Sequence, residues 1–193
     1  MRVGQAKELF RALTQQYFGG ANVVFANQSR TAKQKEPLVV LTPGNVHRPQ
    51  APNYTFVDGE VVGHYLSRFS ITVDLFTNGS PVVDEVSGKV VAYEDNAVDD
   101  MLSFADFLNS EHTVQWSHQN DVSILIDGDV LNLTGVVNDT SYEFRSRLTV
   151  QFYFTQKAVG ASTALLESSL QYPTGEKDPE TQEPTYTPTE PPE

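Results

Sequence analysis

Tyr142-Glu143-Phe144-Arg145-Ser146-Arg147-Leu148-Thr149-Val150-Gln151-Phe152-Tyr153-Phe154 is the stretch on which the fold turns. Its even positions, Phe144, Leu148, Val150, Phe152 and Phe154, are apolar, and only Ser146 breaks the row. Its odd positions, Glu143, Arg145, Arg147, Thr149 and Gln151, are polar until Tyr153. A side-chain period of two describes a strand with one dry face and one wet, charged face. Glu143, Arg145 and Arg147 have two readings. They are either a solvated sheet face with cross-strand ion pairs, each worth well under ~1 kcal/mol, or a surface docked on a neighbouring subunit, where arginine is favoured. The pattern leaves both open.

Outward from this strand the last third is β. Val122, Ile124 and Ile126 alternate, Asp127-Gly128-Asp129 predicts a tight hairpin turn, and Val130 to Val136 returns. Asn138-Asp139 predicts a further turn into the opening strand. Upstream, Asn96 is placed as an N-cap with Asp99 three residues on, and Val98, Met101, Leu102, Ala105 and Leu108 make a helical stripe that Phe104 and Phe107 widen. From Tyr65 another alternation sets Phe69, Ile71, Val73 and Leu75 against Arg68, Ser70, Thr72 and Asp74, ending at Asn78-Gly79-Ser80-Pro81. Residues 81–93 are ambiguous, because Pro81 and Gly88 speak against a regular element there. Residues 43–63, with Pro43, Pro49 and Pro52, predict a long loop or extended hairpin of functional interest. Near the start, Ala6, Leu9, Phe10, Leu13 and Tyr17 predict an amphipathic helix over 5–17, closed by Gly19-Gly20. Val23-Val24-Phe25 and Leu38-Val39-Val40-Leu41 predict two strands separated by a basic segment, Arg30 to Lys35. The order predicts an α+β fold: an antiparallel β-sheet packed by two helices.

A length of 193 residues suits one packed unit, expected over 1–160. Residues 161–193 are expected to be a flexible acidic tail. From Tyr172 onward it holds six of the chain's eleven prolines and six carboxylates against Lys177, a composition that cannot support a core. The absence of cysteine excludes a disulfide scaffold, a thiol nucleophile and thiolate metal sites. The first residues hold no long apolar run, no stretch approaches membrane-spanning length, and synthesis is expected in the cytoplasm. A net charge of −12 argues against holding nucleic acid by phosphate neutralisation. It suits solubility, or a passage through which DNA must slide without sticking.

Catalytic signatures are missing. His112 and His118 stand six apart across a helix end, a spacing that suits no common zinc site, and neither a metal nor a cofactor is expected. Asp127-Gly128-Asp129 lacks the twelve-residue calcium loop. There is no Gly-x-Ser-x-Gly, no Gly-x-Gly-x-x-Gly and no Walker lysine loop. Asp99-Asp100 lie at a helix start, where the dipole accounts for them. The sequons at Asn27, Asn53, Asn78, Asn132 and Asn138 are taken as turn and strand residues.

Val23-Val24-Phe25-Ala26-Asn27-Gln28, a basic loop ending in Lys35-Glu36-Pro37, and then Leu38-Val39-Val40-Leu41 resemble the N-terminal signature of the phage neck (tail) terminator family. Tyr142-Glu143-Phe144-Arg145, followed by Leu148, Val150 and Phe152, is similar to that family's entry into its last core strand. Ile71-Thr72-Val73-Asp74-Leu75-Phe76 and the helix after it fall in the family's order. The resemblance covers roughly residues 5–157, and the 43–63 segment and the acidic tail depart from it.

The resemblance implies a structural virion protein of a tailed bacteriophage. It would form a ring, commonly of six copies, on the head-proximal end of the tail tube, terminate tube growth and join the tail to the head. Implied partners are further copies of the chain, the tail-tube protein, the head-completion or connector protein and, less directly, the tape-measure protein. Genomic DNA passes through the lumen without specific binding, and no membrane is involved. Candidate contact residues are Asn27, Gln28, Arg30, Lys33 and Lys35 in the first loop and Glu143, Arg145 and Arg147 on the strand. Rival readings are a tail-tube or other ring-forming tail protein, and a glycan- or receptor-binding tail module.

Overall fold

The computed structural model describes residues 1–26, 37–57, 60–137 and 141–159. The elements in chain order are α1 (Val3–Tyr17), β1 (Asn22–Phe25), β2 (Leu38–His47), β3 (Asn53–Val57), β4 (Glu60–Thr77), β5 (Ser80–Val83), β6 (Val90–Glu94), α2 (Ala97–Leu108), α3 (Glu111–Gln119), β7 (Val122–Ile126), β8 (Leu131–Asn132), β9 (Gly135–Val137) and β10 (Ser141–Val159). The α+β reading holds. The expected tail over 161–193 lies outside the described residues.

The alternating stretch is the centre of the molecule. β10 pairs antiparallel with β4 in unbroken register from Phe144 opposite Thr77 to Val159 opposite Val62. On β10, Ser146, Leu148, Val150, Phe152 and Phe154 are buried; on β4 so are Phe69, Ile71, Val73 and Leu75. Residues directly opposite in a ladder share a face, so these two rows form one apolar floor. α1 lays Ala6, Phe10, Leu13 and Thr14 on it, and α2 lays Ala97, Met101, Phe104 and Leu108. The Phe152 ring stands edge-on to Phe10 at 5.8 Å and tilted against Phe69 at 5.5 Å. Leu102, expected in the α2 stripe, points to solvent; the buried set follows steps of four, three and four residues, and Leu102 lies off that line.

Ser146 interrupts the apolar row for a reason that only packing shows. Its hydroxyl donates to the Ala97 carbonyl at 2.6 Å, tying β10 to the first turn of α2. Ser146→Ala is expected to cost about 1 kcal/mol, the net worth of one buried hydrogen bond. Urea unfolding should show the midpoint falling with an unchanged slope.

Three features depart from the expected layout. Residues 111–119 form a third helix, α3, whose start is capped by Ser110 accepting from the Thr113 N–H. β1 joins β2 in parallel, so the sheet is antiparallel everywhere except at that edge. Asp127-Gly128-Asp129 is not a hairpin turn. β7, β8 and β9 all pair antiparallel with β10, at 150–154, 146–147 and 141–143 respectively. The turn is a break inside one line of chain, because the long β10 edge offers backbone partners for the segment to rejoin. The Asp127 N–H still donates to the Thr149 carbonyl at 2.8 Å. β2 and β3 likewise form one interrupted line along β4. The 43–63 segment is thus the extended hairpin. β2 bulges between Pro43 and Val46, where Gly44 comes so close to Ser70 that a Cβ would meet its hydroxyl.

Candidate assembly surfaces

With the helices on one side, no described helix covers the other face of the sheet. It carries Val40 and Thr42 from β2, Arg68 to Phe76 from β4 and Arg145 to Tyr153 from β10, every second residue on each strand. Its centre is an ion cluster. Asp74 stands opposite Arg147 in the register, one step from Arg145. Asp74 Oδ1 accepts from Arg145 Nη2 at 2.9 Å and Nε at 3.2 Å, and from Arg147 Nε at 2.9 Å; Oδ2 accepts from Arg147 Nη2 at 3.2 Å. The carboxylate side chain is 6% exposed, while the two guanidiniums are 30% and 36% exposed. Arg145 also stacks over the Phe76 ring at 4.8 Å. Two cations thus share one nearly buried carboxylate on a half-buried face, and at its margin Gln151 Nε2 donates to Asp127 Oδ2 at 2.8 Å. The cross-strand reading of Arg145 and Arg147 holds, and their outer edges remain open to solvent.

The backbone behind the arginines is fixed as well. The Arg145 N–H donates to Thr134 Oγ1 at 3.1 Å, and that hydroxyl donates to Asp95 Oδ2 at 2.6 Å. The Leu133 N–H donates to the Arg145 carbonyl at 2.8 Å. Glu143 sits half-buried opposite Gly135, at the far end of the strand from the core. Asn27, Gln28, Arg30, Lys33 and Lys35 lie outside the described residues. The strands that flank them, β1 and β2, form the parallel edge.

Two projections leave the body. At one end β3, β4 and β10 run on, with Tyr54, Phe56 and Leu66 exposed. There Thr55 Oγ1 lies 2.7 Å from His64 Nε2, and Arg48 stacks over Tyr65 at 3.6 Å. At the other end is a separate two-stranded sheet, β5–β6, over the ambiguous residues. Its turn is built by Asp84, whose carboxylate accepts from the Ser87 N–H at 2.9 Å and the Ser87 hydroxyl at 2.5 Å. These bonds hold the Asp84 carboxyl below its ordinary pKa, so it stays charged. Gly88 takes a positive φ of 64°, the left-handed turn position that glycine suits. The signal is present in the residues themselves: Pro81 is the second residue of an edge strand, and Asp-x-x-Ser-Gly is turn chemistry.

A groove of about 540 Å³ runs between the end of α1 and the end of β4, lined in part by Tyr17, Phe18, Leu75, Thr77, Asn96 and Asp100. Burial, and then the neighbouring Asp99, raise the Asp100 carboxyl above its usual range. Burial also raises the Tyr17 phenol, against a hydrogen bond with Ser103 that lowers it. Neither shift builds a nucleophile–base pair in that groove. Among the described residues no three His, Asp or Glu side chains gather to hold a metal ion. No described helix is long and apolar enough to cross a membrane.

Residues 7–176 match the model of a family described as phage neck terminator protein. No curated protein matches the chain.

Proposed function

Because the chain belongs to the phage neck terminator family and is a structural protein of the bacteriophage neck, we propose that it closes into a ring on the tail tube. In this reading six copies sit at the head-proximal end, terminate tube growth and present the surface that receives the head connector. The tube protein, the connector and the tape-measure protein are the neighbours. Residues 1–160 build the ring and 161–193 form an acidic extension.

One observation carries the reading: the described sheet ends in two unlike edges, parallel-added β1 on one side and the β7–β8–β9 line on the other. Unlike edges suit a heterologous contact, which repeats around a rotation axis and closes into a ring. The excess of 25 acidic over 13 basic residues supports a lumen that lets DNA pass, since a phosphate backbone finds little to neutralise it. Glu143, Arg145 and Arg147, with Asn27, Gln28, Arg30, Lys33 and Lys35, are assigned to contacts between neighbours. Host cytoplasm is the place of assembly and the virion neck the final location.

Negative-stain electron microscopy tests this on the purified chain at high concentration, alone and with tail tubes of its phage. Single closed rings with a hole wide enough for duplex DNA, alone or capping tube ends, are expected. Long tubes of the chain itself would overturn termination in favour of a tube protein. Single subunits under both conditions would overturn the ring.

A further inference from the structure

We propose that the β5–β6 hairpin is the arm by which one subunit grips the next. Its apolar strands would lie on the open sheet face of a second copy of this chain, with its acidic turn against the arginines there. The proposal rests on the ring reading, because it requires the chain to associate with itself.

The hairpin is built to be covered. Every residue of β5 and β6 is exposed, yet six large apolar side chains lie on it or at its turn. Val86 is 95% exposed, Val91 65% and Tyr93 58%. A solvated hairpin alternates dry and wet. Here Pro81 opposite Tyr93 and Val83 opposite Val90 make one face apolar, and Val82 opposite Ala92 makes the other apolar too. A lone two-stranded sheet is marginal in water, and an exposed apolar one invites association.

Charge selects the occupant. The turn carries Asp84 and Glu85, with Lys89 behind them, in a chain that is acidic overall. Such a turn is repelled by most of a neighbour's surface. Arg145 and Arg147 on the open sheet face are cations that such a turn can meet. There Arg145 and Arg147 share the one Asp74 carboxylate, and Arg68 points its guanidinium to the Tyr153 hydroxyl at 3.5 Å. Around them lie Val40 and Phe76, half-buried, and Leu125 and Leu131, exposed. That face therefore offers apolar contact for the valines and two part-exposed guanidiniums for the acidic turn, while the Asp127 carboxylate stays at its margin on Gln151. Arm and acceptor are different patches, so the contact is heterologous and repeats from subunit to subunit.

The chain has no cysteine, which makes disulfide trapping unambiguous. A Val86→Cys/Thr72→Cys double variant, oxidised under assembly conditions, is expected to give a covalent ladder rising to the ring. Each single variant has no cysteine opposite it across this contact and should stay uncrosslinked. Independently, Val91→Glu/Tyr93→Glu changes only exposed positions. It should raise the concentration for half-assembly at least tenfold while leaving the melting temperature of the subunit unchanged. Rings that form normally in the Val91→Glu/Tyr93→Glu variant would overturn the proposal. So would the absence of a ladder when Val86→Cys is paired with Thr72→Cys, Thr149→Cys or Leu125→Cys. Crosslinking of the hairpin to another virion protein alone would also overturn it. Rings indifferent to the hairpin sink only this inference; an unmodified chain that makes no rings sinks the ring reading with it.

Discussion

Gly79→Val is expected to lower the unfolding free energy by about 3 kcal/mol, and with it to displace the β5–β6 hairpin from the body. Gly79 has a φ of +73°, a region that costs a non-glycine residue roughly 1–2 kcal/mol and a β-branched one more. Space adds to that. A Cβ there would stand 2.5 Å from the Glu94 carbonyl and 2.6 Å from the Phe144 ring. One obstacle is backbone and the other a half-buried aromatic, so neither gives way without moving β6 or the end of β10. Thermal unfolding should show the midpoint down by about 10 °C, at the few degrees per kcal/mol expected of a domain this size. A loss below about 0.5 kcal/mol would show that the hairpin base is soft and that Gly79 is not required. Gly88 gives the contrast: its φ is also positive, but a Cβ added there would meet nothing within 4 Å, so the strain is conformational only.

The second large effect is expected at Asp74. Asp74→Ala removes the one carboxylate that both Arg145 and Arg147 use. Breaking a fully buried pair by deleting one partner costs about 3–5 kcal/mol. Here the guanidiniums are about a third exposed and recover some hydration, so about 2 kcal/mol is expected after that discount. The remaining loss has a signature. Two like charges on one strand face then confront each other without the carboxylate they shared, and added salt should restore part of the stability. Asp74→Asn keeps an acceptor in place and should lose less than Asp74→Ala. Chemical denaturation of both variants with urea, at low and high sodium chloride, separates the outcomes. A loss without salt dependence would mean that Asp74 acts by packing alone and not by separating the two guanidiniums.

The sequence reading and the structure agree where a residue's neighbours along the chain decide its state. The alternation from Phe144 to Phe154 and from Phe69 to Leu75 placed the dry and wet faces correctly, because side-chain period is a property of the strand itself. The helix over 5–17 and the one after Asn96 were legible in the same way. The pairing of Arg145 and Arg147 was legible as a type of contact but not as a partner. Asp74 lies 71 residues away from Arg145, and only the β4–β10 register brings it between them. Leu102 was misjudged and Ser146 left unexplained for the same reason. Both depend on how α2 is set down on β10, which no local pattern contains.

Other features escaped because their signals were mixed. Pro81 and Gly88 counted against regular structure in residues 81–93, yet one lies within β5 and the other closes the turn before β6. Asp127-Gly128-Asp129 has hairpin chemistry and makes no hairpin, since the chain after it finds the free edge of β10 closer to hand than that of β7. The parallel attachment of β1 likewise cannot be derived from Val23-Val24-Phe25, an apolar run that suits either direction.

By itself, then, the amino-acid sequence determined the α+β class, the two faces of the central strands, the acidic balance and the absence of cysteine. It also carried the short motifs whose order matches the phage neck terminators. Only the tertiary structure decided which carboxylate sits between the two arginines, which face of the sheet the helices leave open, and that residues 80–94 stand out as an apolar hairpin. The division has one physical cause. Periodicity, charge and turn chemistry act over a few residues, whereas register, coverage and exposure are set by contacts between segments that lie dozens of residues apart.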